Sequence, residues 1–288
     1  MRTESLNMLF TGQSDGAVLH SITALHLSDV LIPWTSAIYR NLVDLRLQFH
    51  HDPENVSTSQ LAGILAASPG LMTLKLEYLD IVLEDWNEEK VIRLIRLKVL
   101  YLSHLGKNSL VALESILSLS SCLGTLEVGI HHCDDGYSED IAQIAQDFLR
   151  GARIKTLALT PNLDYDDGAQ LVLSISRAIP FLENLILYTY GIHDVREHGE
   201  TTDEPELEVG TTSRLPNLFL VAQELDLEKL KLIVSAYGVE TLHLDRTDWD
   251  WSMDKLKTAL LKAFPRLTCV ITDEDTTFKW PCRKMFDW

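Results

Sequence analysis

The sequence predicts an α/β fold built as a solenoid, with parallel strands on its concave side and helices on its convex side. Three observations point there. A Leu-x-x-Leu-x-Leu pattern returns along the chain, segments of helical spacing separate its copies, and the copies recur about every 27 residues over nine intervals.

The pattern stands at Ile22-Leu25-Leu27, Leu42-Leu45-Leu47, Leu71-Leu74-Leu76, Leu97-Leu100-Leu102, Leu123-Leu126-Val128, Ile154-Leu157-Leu159 and Leu182-Leu185-Leu187. Weaker copies follow at Leu215-Leu218-Leu220, Val239-Leu242-Leu244 and Leu267-Val270-Thr272. Alternate side chains of an extended segment share a face, so the second and third positions point into a core while the residue between them points out. One strand cannot bury that face alone, whereas ten stacked in parallel can once helices cover them. The period lies within the roughly 20–29 residues of leucine-rich repeats. About ten such repeats, forming one horseshoe-shaped domain over residues 1–288, are expected.

The covering helices are expected in STSQLAGILAASPG, NEEKVIRLIRL, NSLVALESILSLSS, SEDIAQIAQDFLRG, DDGAQLVLSISRAIP and SMDKLKTALLKAFP. Several open on Ser, Asn or Asp with Gln or Glu in the first turn and close near Gly or Pro, as capped helices do. Leu61, Ile64 and Leu65 stand at i, i+3 and i+4, as do Ile141, Ile144 and Ala145, giving each helix one apolar stripe. Two stretches depart from the repeat. Residues 193–214, HDVREHGETTDEPELEVGTTSR, carry seven acidic residues against two basic ones and read as a mobile insertion on one rim. Residues 276–288, with Trp280 and Trp288, read as a C-terminal cap over the last repeat's open edge.

With 46% hydrophobic and 23% charged residues in 288, the chain has enough apolar material for a large core. Charged or polar residues break its apolar runs well before the roughly 18 residues of a membrane span. MRTESLNMLF lacks the features of a secretory signal, so a cytoplasmic or nuclear setting is expected. Cys122, Cys133, Cys269 and Cys282 never show zinc-knuckle spacing and read as free thiols. A net charge of −17 argues against a general nucleic-acid binder, which needs a cationic face, and favours partners carrying positive charge.

Strands about 4.8 Å apart give a concave strip roughly 43 Å long over nine steps. Its central positions read His26, Arg46, Lys75, Tyr101, Glu127, Ala158, Ile186, Phe219, His243 and Ile271. Apolar side chains have no packing reason to face out of a strand, so Ile186, Tyr188, Phe219 and Val221 are expected to form a partner surface. Tyr101 and His243 extend this partner-binding set, and Arg46 and Lys75 add a basic spot toward its N-terminal end. Two other readings stand beside it: the acidic insertion folds over the patch, or the Leu-Pro-Asn-Leu unit takes a register that buries Phe219. The other reading of Arg46 and Lys75 is as ordinary solvated charges or as members of a cross-strand pair with Asp44 or Glu77. Trp34 reads as a core plug between the first two units.

Catalysis finds no support in the sequence, and no cofactor is expected. HHCDD, residues 131–135, holds metal-ligand residue types, but neighbours on an extended segment point in opposite directions and do not close on one ion. Asp164, Asp166 and Asp167 precede a helix, where carboxylates complement its dipole. There is no phosphate-binding Gly-rich loop, Gly-x-Ser-x-Gly or His-Glu-x-x-His.

LHLSDVLIPWTSAIYRNLVDLRL, STSQLAGILAASPGLMTLKL, AIPFLENLIL and AFPRLTCVI together resemble the leucine-rich-repeat region of fungal F-box proteins. The similarity rests on Pro33, Trp34, Tyr39, Asn41, Leu42, Leu45 and Leu47, and on the stretch from Leu65 to Leu71. It implies substrate recognition for a cullin-type ubiquitin ligase, with the repeats holding the target. An F-box itself is not present: MRTESLNMLFTGQSDG reads instead as the last helix of a preceding repeat, with Leu6, Leu9 and Phe10 on one face. Docking to the adaptor and cullin is therefore expected only where an F-box is supplied upstream. The alternative is a repeat-only scaffold or receptor unconnected to ubiquitin.

Overall fold

The computed structural model describes residues 21–30, 32–50, 54–84, 91–131, 139–160, 179–189, 214–222, 227–246 and 253–272. In chain order the elements are β1 (Ala24–Ser28), β2 (Asp44–Gln48), β3 (Glu54–Ser57), α1 (Thr58–Ala66), β4 (Thr73–Glu77), β5 (Leu79–Val82), β6 (Val99–Ser103) and α2 (Lys107–Ile116). They continue with β7 (Leu126–His131), α3 (Glu139–Leu149), β8 (Ile154–Leu159), β9 (Asn184–Thr189), β10 (Asn217–Ala222), α4 (Leu227–Tyr237), β11 (Thr241–Arg246), α5 (Met253–Ala263) and β12 (Thr268–Thr272).

Ten of these strands form one parallel sheet in strict chain order, β1-β2-β4-β6-β7-β8-β9-β10-β11-β12. The remaining two, β3 and β5, form a small parallel sheet of their own. The mixed α/β class and the parallel pairing agree with the spacing of the apolar residues. Register explains the core: Leu25, Leu45, Leu74 and Leu100 are successive partners, as are Leu157, Leu185, Leu218 and Leu242. All of them are buried in one continuous cluster. The helices face the same cluster, α1 through Leu61, Ile64 and Leu65, α2 through Leu110, Leu113 and Ile116, and α3 through Ala145, Phe148 and Leu149.

Local sequence accounts for several element ends. Ser57 caps α1 by accepting from the Gln60 amide at 3.2 Å, while Gln60 Oε1 accepts from the Ser57 amide at 3.0 Å. This reciprocal pair satisfies two N–H groups that the first turn leaves without helical acceptors. Ser68 does a similar job between units. Its buried hydroxyl accepts from the Leu42 amide at 3.0 Å and donates to the Tyr39 carbonyl at 2.9 Å. Ser109 receives the Ile81 amide at 2.9 Å and so ties α2 to β5.

Four expectations need correction. The unit Leu123-Leu126-Val128 lies two residues early: Val128 and Ile130 pair with Leu100 and Leu102, and Leu123 is 75% exposed. A shift of two keeps the same face inward, so alternation alone does not separate the two choices. At β12 the slip is one residue. Cys269 and Ile271 pair with Leu242 and Leu244, which turns Val270, not Ile271, toward the other face. Over residues 91–97 the expected helix is absent, because Ile92 bridges in parallel to Leu117 and donates its amide to Ile116 at 2.7 Å. Helix α4 was not among the expected helices, although Leu230, Ile233, Val234 and Tyr237 bury one stripe at helical spacing. The acidic stretch 193–213, the cap at 276–288, Leu6, Leu9 and Phe10 near the N-terminus, and Asp164, Asp166 and Asp167 lie outside the described residues. Cys122 and Cys269 are free thiols, and burial pushes both of their pKa values up. Among the described residues no helix is long and apolar enough to cross a membrane.

Candidate partner-binding face

The face of the sheet turned away from the helices carries the predicted binding residues. Register brings them into one row: His26, Arg46, Lys75 and Tyr101 are successive partners on β1, β2, β4 and β6. The row continues through Gly129, Ala158, Ile186, Phe219, His243 and Val270. Glu127 is displaced to the row beside it, opposite Val99, as the two-residue shift of β7 requires. Tyr188 and Val221 are partners two residues further along their strands, on the same face. All eight predicted side chains thus share this face, in two groups, Arg46, Lys75 and Tyr101 on one side and Ile186, Tyr188, Phe219, Val221 and His243 on the other, with Gly129 and Ala158 between them.

Their expected exposure is what the structure corrects. Lys75 is 0% exposed, Tyr101 5%, Ile186 0% and Phe219 3%, and Ala158 between them is also fully buried. Val99, Tyr101, Ala158, Ile186 and Phe219 make a second hydrophobic cluster, built from strand residues alone, with Tyr188 packed on its margin. The register of β10 is regular, so Phe219 is not buried by a slip into the first core. Burial is graded along the sheet. Strand β2 alternates buried and half-buried residues, whereas all five residues of β6 are buried. Arg46, Tyr188, Val221 and His243 keep partial exposure at the margins of this closed middle.

Polar groups on this face are held in short networks. Arg46 forms a two-pronged pair with Asp44, donating at 3.0 Å and 2.9 Å, and His26 Nε2 lies 3.4 Å from the same carboxylate. Of the two alternatives for Arg46, pairing with Asp44 is therefore the observed one. Lys75 is not a solvated charge: its Nζ lies 6.0 Å from the centre of the Tyr101 ring. Gln48 donates to the Glu77 carboxylate at 2.7 Å. Further along, Asn217 donates to Asn184 at 3.0 Å and Asn184 donates to Thr156 at 3.1 Å, a ladder of side chains across three registered strands.

Rings dominate the rest. His131 lies 6.1 Å from Tyr101 and 5.3 Å from Tyr188, and His243 stacks on Phe219 at 4.3 Å with the planes 10° apart. A second stack was not foreseen: Tyr78 lies flat on His104 at 3.9 Å, with His50 at 5.3 Å. Tyr78 and His104 each follow the last residue of a strand and take φ near +50°, as does Asp29 after β1. That left-handed step is uncommon for residues with a side chain. It lets each amide donate to the end of the next strand, at 3.1 Å from Tyr78 to Ser103 and 2.9 Å from His104 to His131. Trp34 packs against the first core, stacked on Tyr39 at 5.8 Å, in agreement with its reading as a plug. Of HHCDD only His131 is described; it is buried, and no cluster with metal-binding composition occurs among the described residues.

His243 supplies a pH prediction. Burial lowers its pKa below the ordinary imidazole value of 6.5, because removing the ring from water disfavours its cationic form. The unfolded chain then binds the proton more readily, so this contribution to stability is whole above about pH 6.5 and is lost as pH falls below it. Urea unfolding between about pH 8 and pH 5 should show the wild type losing more stability than His243→Gln on the acidic side.

A scan against protein-family models finds no match to the chain, and a search of curated proteins finds none either.

Proposed function

We propose that the chain is a leucine-rich-repeat horseshoe that binds another protein on its second, concave face. Its context is substrate recognition for a cullin-type ubiquitin ligase in the cytoplasm or nucleus. One observation carries the binding role: ten parallel strands succeed one another in chain order, with the described helices on one face only. A unit that recurs about every 27 residues stacks in this way in repeat proteins, whose extended inner surface is where they bind. The half-exposed Arg46 at one margin and Tyr188, Val221 and His243 at the other form the contact region, and the buried Lys75, Tyr101, Ile186 and Phe219 on the same face hold it rigid. Catalysis, a cofactor, a membrane and nucleic acid have no part in this role. Adaptor and cullin subunits join only through an F-box supplied upstream.

The test is affinity purification from native extract with the wild type and with Tyr188→Ala/Val221→Ala, after circular dichroism has shown that both fold alike. Partners retained by the wild type and lost by the double variant are the expected result, with a ubiquitinated substrate among them. Identical partner lists sink the contact region. Partners without any link to ubiquitin leave the repeat-only scaffold as the better account.

A further inference from the structure

We propose that the edge of the sheet where the chain leads into its strands docks an extended acidic protein segment with apolar residues between its carboxylates. This surface is separate from the concave face, and it stands or falls independently of the binding role assigned there.

The lead-in turns place a regular series of side chains on this edge. Arg96 precedes β6, Leu123 precedes β7, Arg153 precedes β8, Phe181 precedes β9, Arg214 precedes β10 and Arg266 precedes β12. All six are exposed, Leu123 by 75% and Phe181 by 62%. Backbone bonds hold the turns side by side: Leu123 donates to Ile95 at 3.1 Å, Leu126 to Arg153 at 2.9 Å, Glu183 to Lys155 at 2.9 Å and Asn217 to Glu183 at 3.1 Å. Arg96, Arg153 and Arg214 each stand three residues before registered strand positions, about 9.6 Å apart for two strand spacings, with Phe181 in register between the last two, while Leu123 and Arg266 stand one residue off this row. On β11 the series holds Gly238, and there a groove of about 780 Å³ opens between Arg214 and Arg266, floored by Val234, Phe264 and Pro265.

These arginines stand against the composition of the molecule. The chain carries 42 acidic residues against 25 basic ones, yet Arg96, Arg153 and Arg266 form no salt bridge among the described residues. Arg214 reaches Glu240 only at 3.9 Å, with its side chain 81% exposed. Arg153 instead lies 5.9 Å from the Phe181 ring, which presents both a cation and an apolar surface to one visitor. A guanidinium fork matches a carboxylate in two prongs.

The spacing sets the pattern of the partner. A chain in the extended polyproline-II form turns once every three residues and advances about 3.1 Å per residue, so arginines about 9.6 Å apart meet Asp or Glu at every third position. The intervening Leu123, Phe181 and groove accept apolar residues. A nucleic acid fits less well, because its continuous backbone charge gains nothing from the apolar Leu123 and Phe181 between the arginines.

Fluorescence anisotropy with the full chain tests this directly. The probe is a labelled peptide of Leu-Glu-Thr repeated about four times, set beside one with the same composition and Glu at every second position in its acidic half. Tight binding of the first is expected, weakened by added salt and reduced at least about tenfold by Arg96→Glu/Arg153→Glu/Arg214→Glu. Leu123→Ala/Phe181→Ala should weaken it about fivefold at unchanged salt dependence. Equal binding of the two peptides, preference for a single-stranded DNA of similar length, or no loss in the triple variant overturns the proposal. So does self-association of the wild type that the triple variant abolishes, since the occupant is then a second copy.

Discussion

Phe219→Ala is expected to destabilise the protein by about 3–5 kcal/mol, the range for truncating a large core side chain. Phe181→Ala, by contrast, should stay within about 0.5 kcal/mol, because that ring is 62% exposed. Both residues are phenylalanines, one within β10 and one in the turn before the neighbouring β9, and they differ chiefly in burial. Phe219 is 3% exposed, lies beside Ile186 in register and carries His243 stacked on its ring at 4.3 Å. Its loss removes the transfer of a phenyl group from water and opens a void that Ala158 and Ile186, themselves wholly buried, are poorly placed to fill. Urea unfolding followed by circular dichroism measures the difference. Equal losses for the two variants would mean that the second face of the sheet is open to solvent.

Ser68→Ala should cost about 2–4 kcal/mol although it deletes a single oxygen. The hydroxyl is fully buried, and it joins the Leu42 amide to the Tyr39 carbonyl. Alanine leaves both backbone groups without partners in the interior, at about 1–3 kcal/mol each. The tie also spans two successive units, from the end of α1 to the turn before β2, so its loss loosens their stacking. Ser59→Ala makes the control, since Ser59 bonds Glu84 at 2.7 Å in an exposed setting and water replaces that bond. A Ser68 effect no larger than the Ser59 effect contradicts the inference.

The strand series was legible because each unit puts Leu at alternate positions, and alternation is what a half-buried strand requires. It failed where alternation is ambiguous. LEVGI offers Leu126, Val128 and Ile130 on one face, and the chain uses the later pair; the extra residue accommodated near Leu126, which faces Ile154 while Glu127 faces Thr156, is not visible in the pattern. In TCVIT either set fits until the neighbour Leu242 chooses Cys269. The candidate face was legible in its residues and not in its burial. VLYLS, NLILY and NLFLV are nearly continuous apolar runs, the mark of parallel strands covered on both faces. From sequence alone they suggest exposed apolar patches, because a strand's own sequence says which side chains share a face, but not what lies over that face. Lys75 shows the limit most clearly, a charged residue on the outward position of β4 that is nonetheless wholly buried.

The measurement that tests the binding role most directly is site-specific photocrosslinking in native extract. A benzophenone amino acid is placed at Val221, on the margin of the second face, and separately at Lys257, exposed on α5. Covalent adducts of one or a few defined masses from position 221, with none from position 257, are the predicted result. Adducts from the helix position alone, or from neither, would contradict a partner on the second face of the sheet.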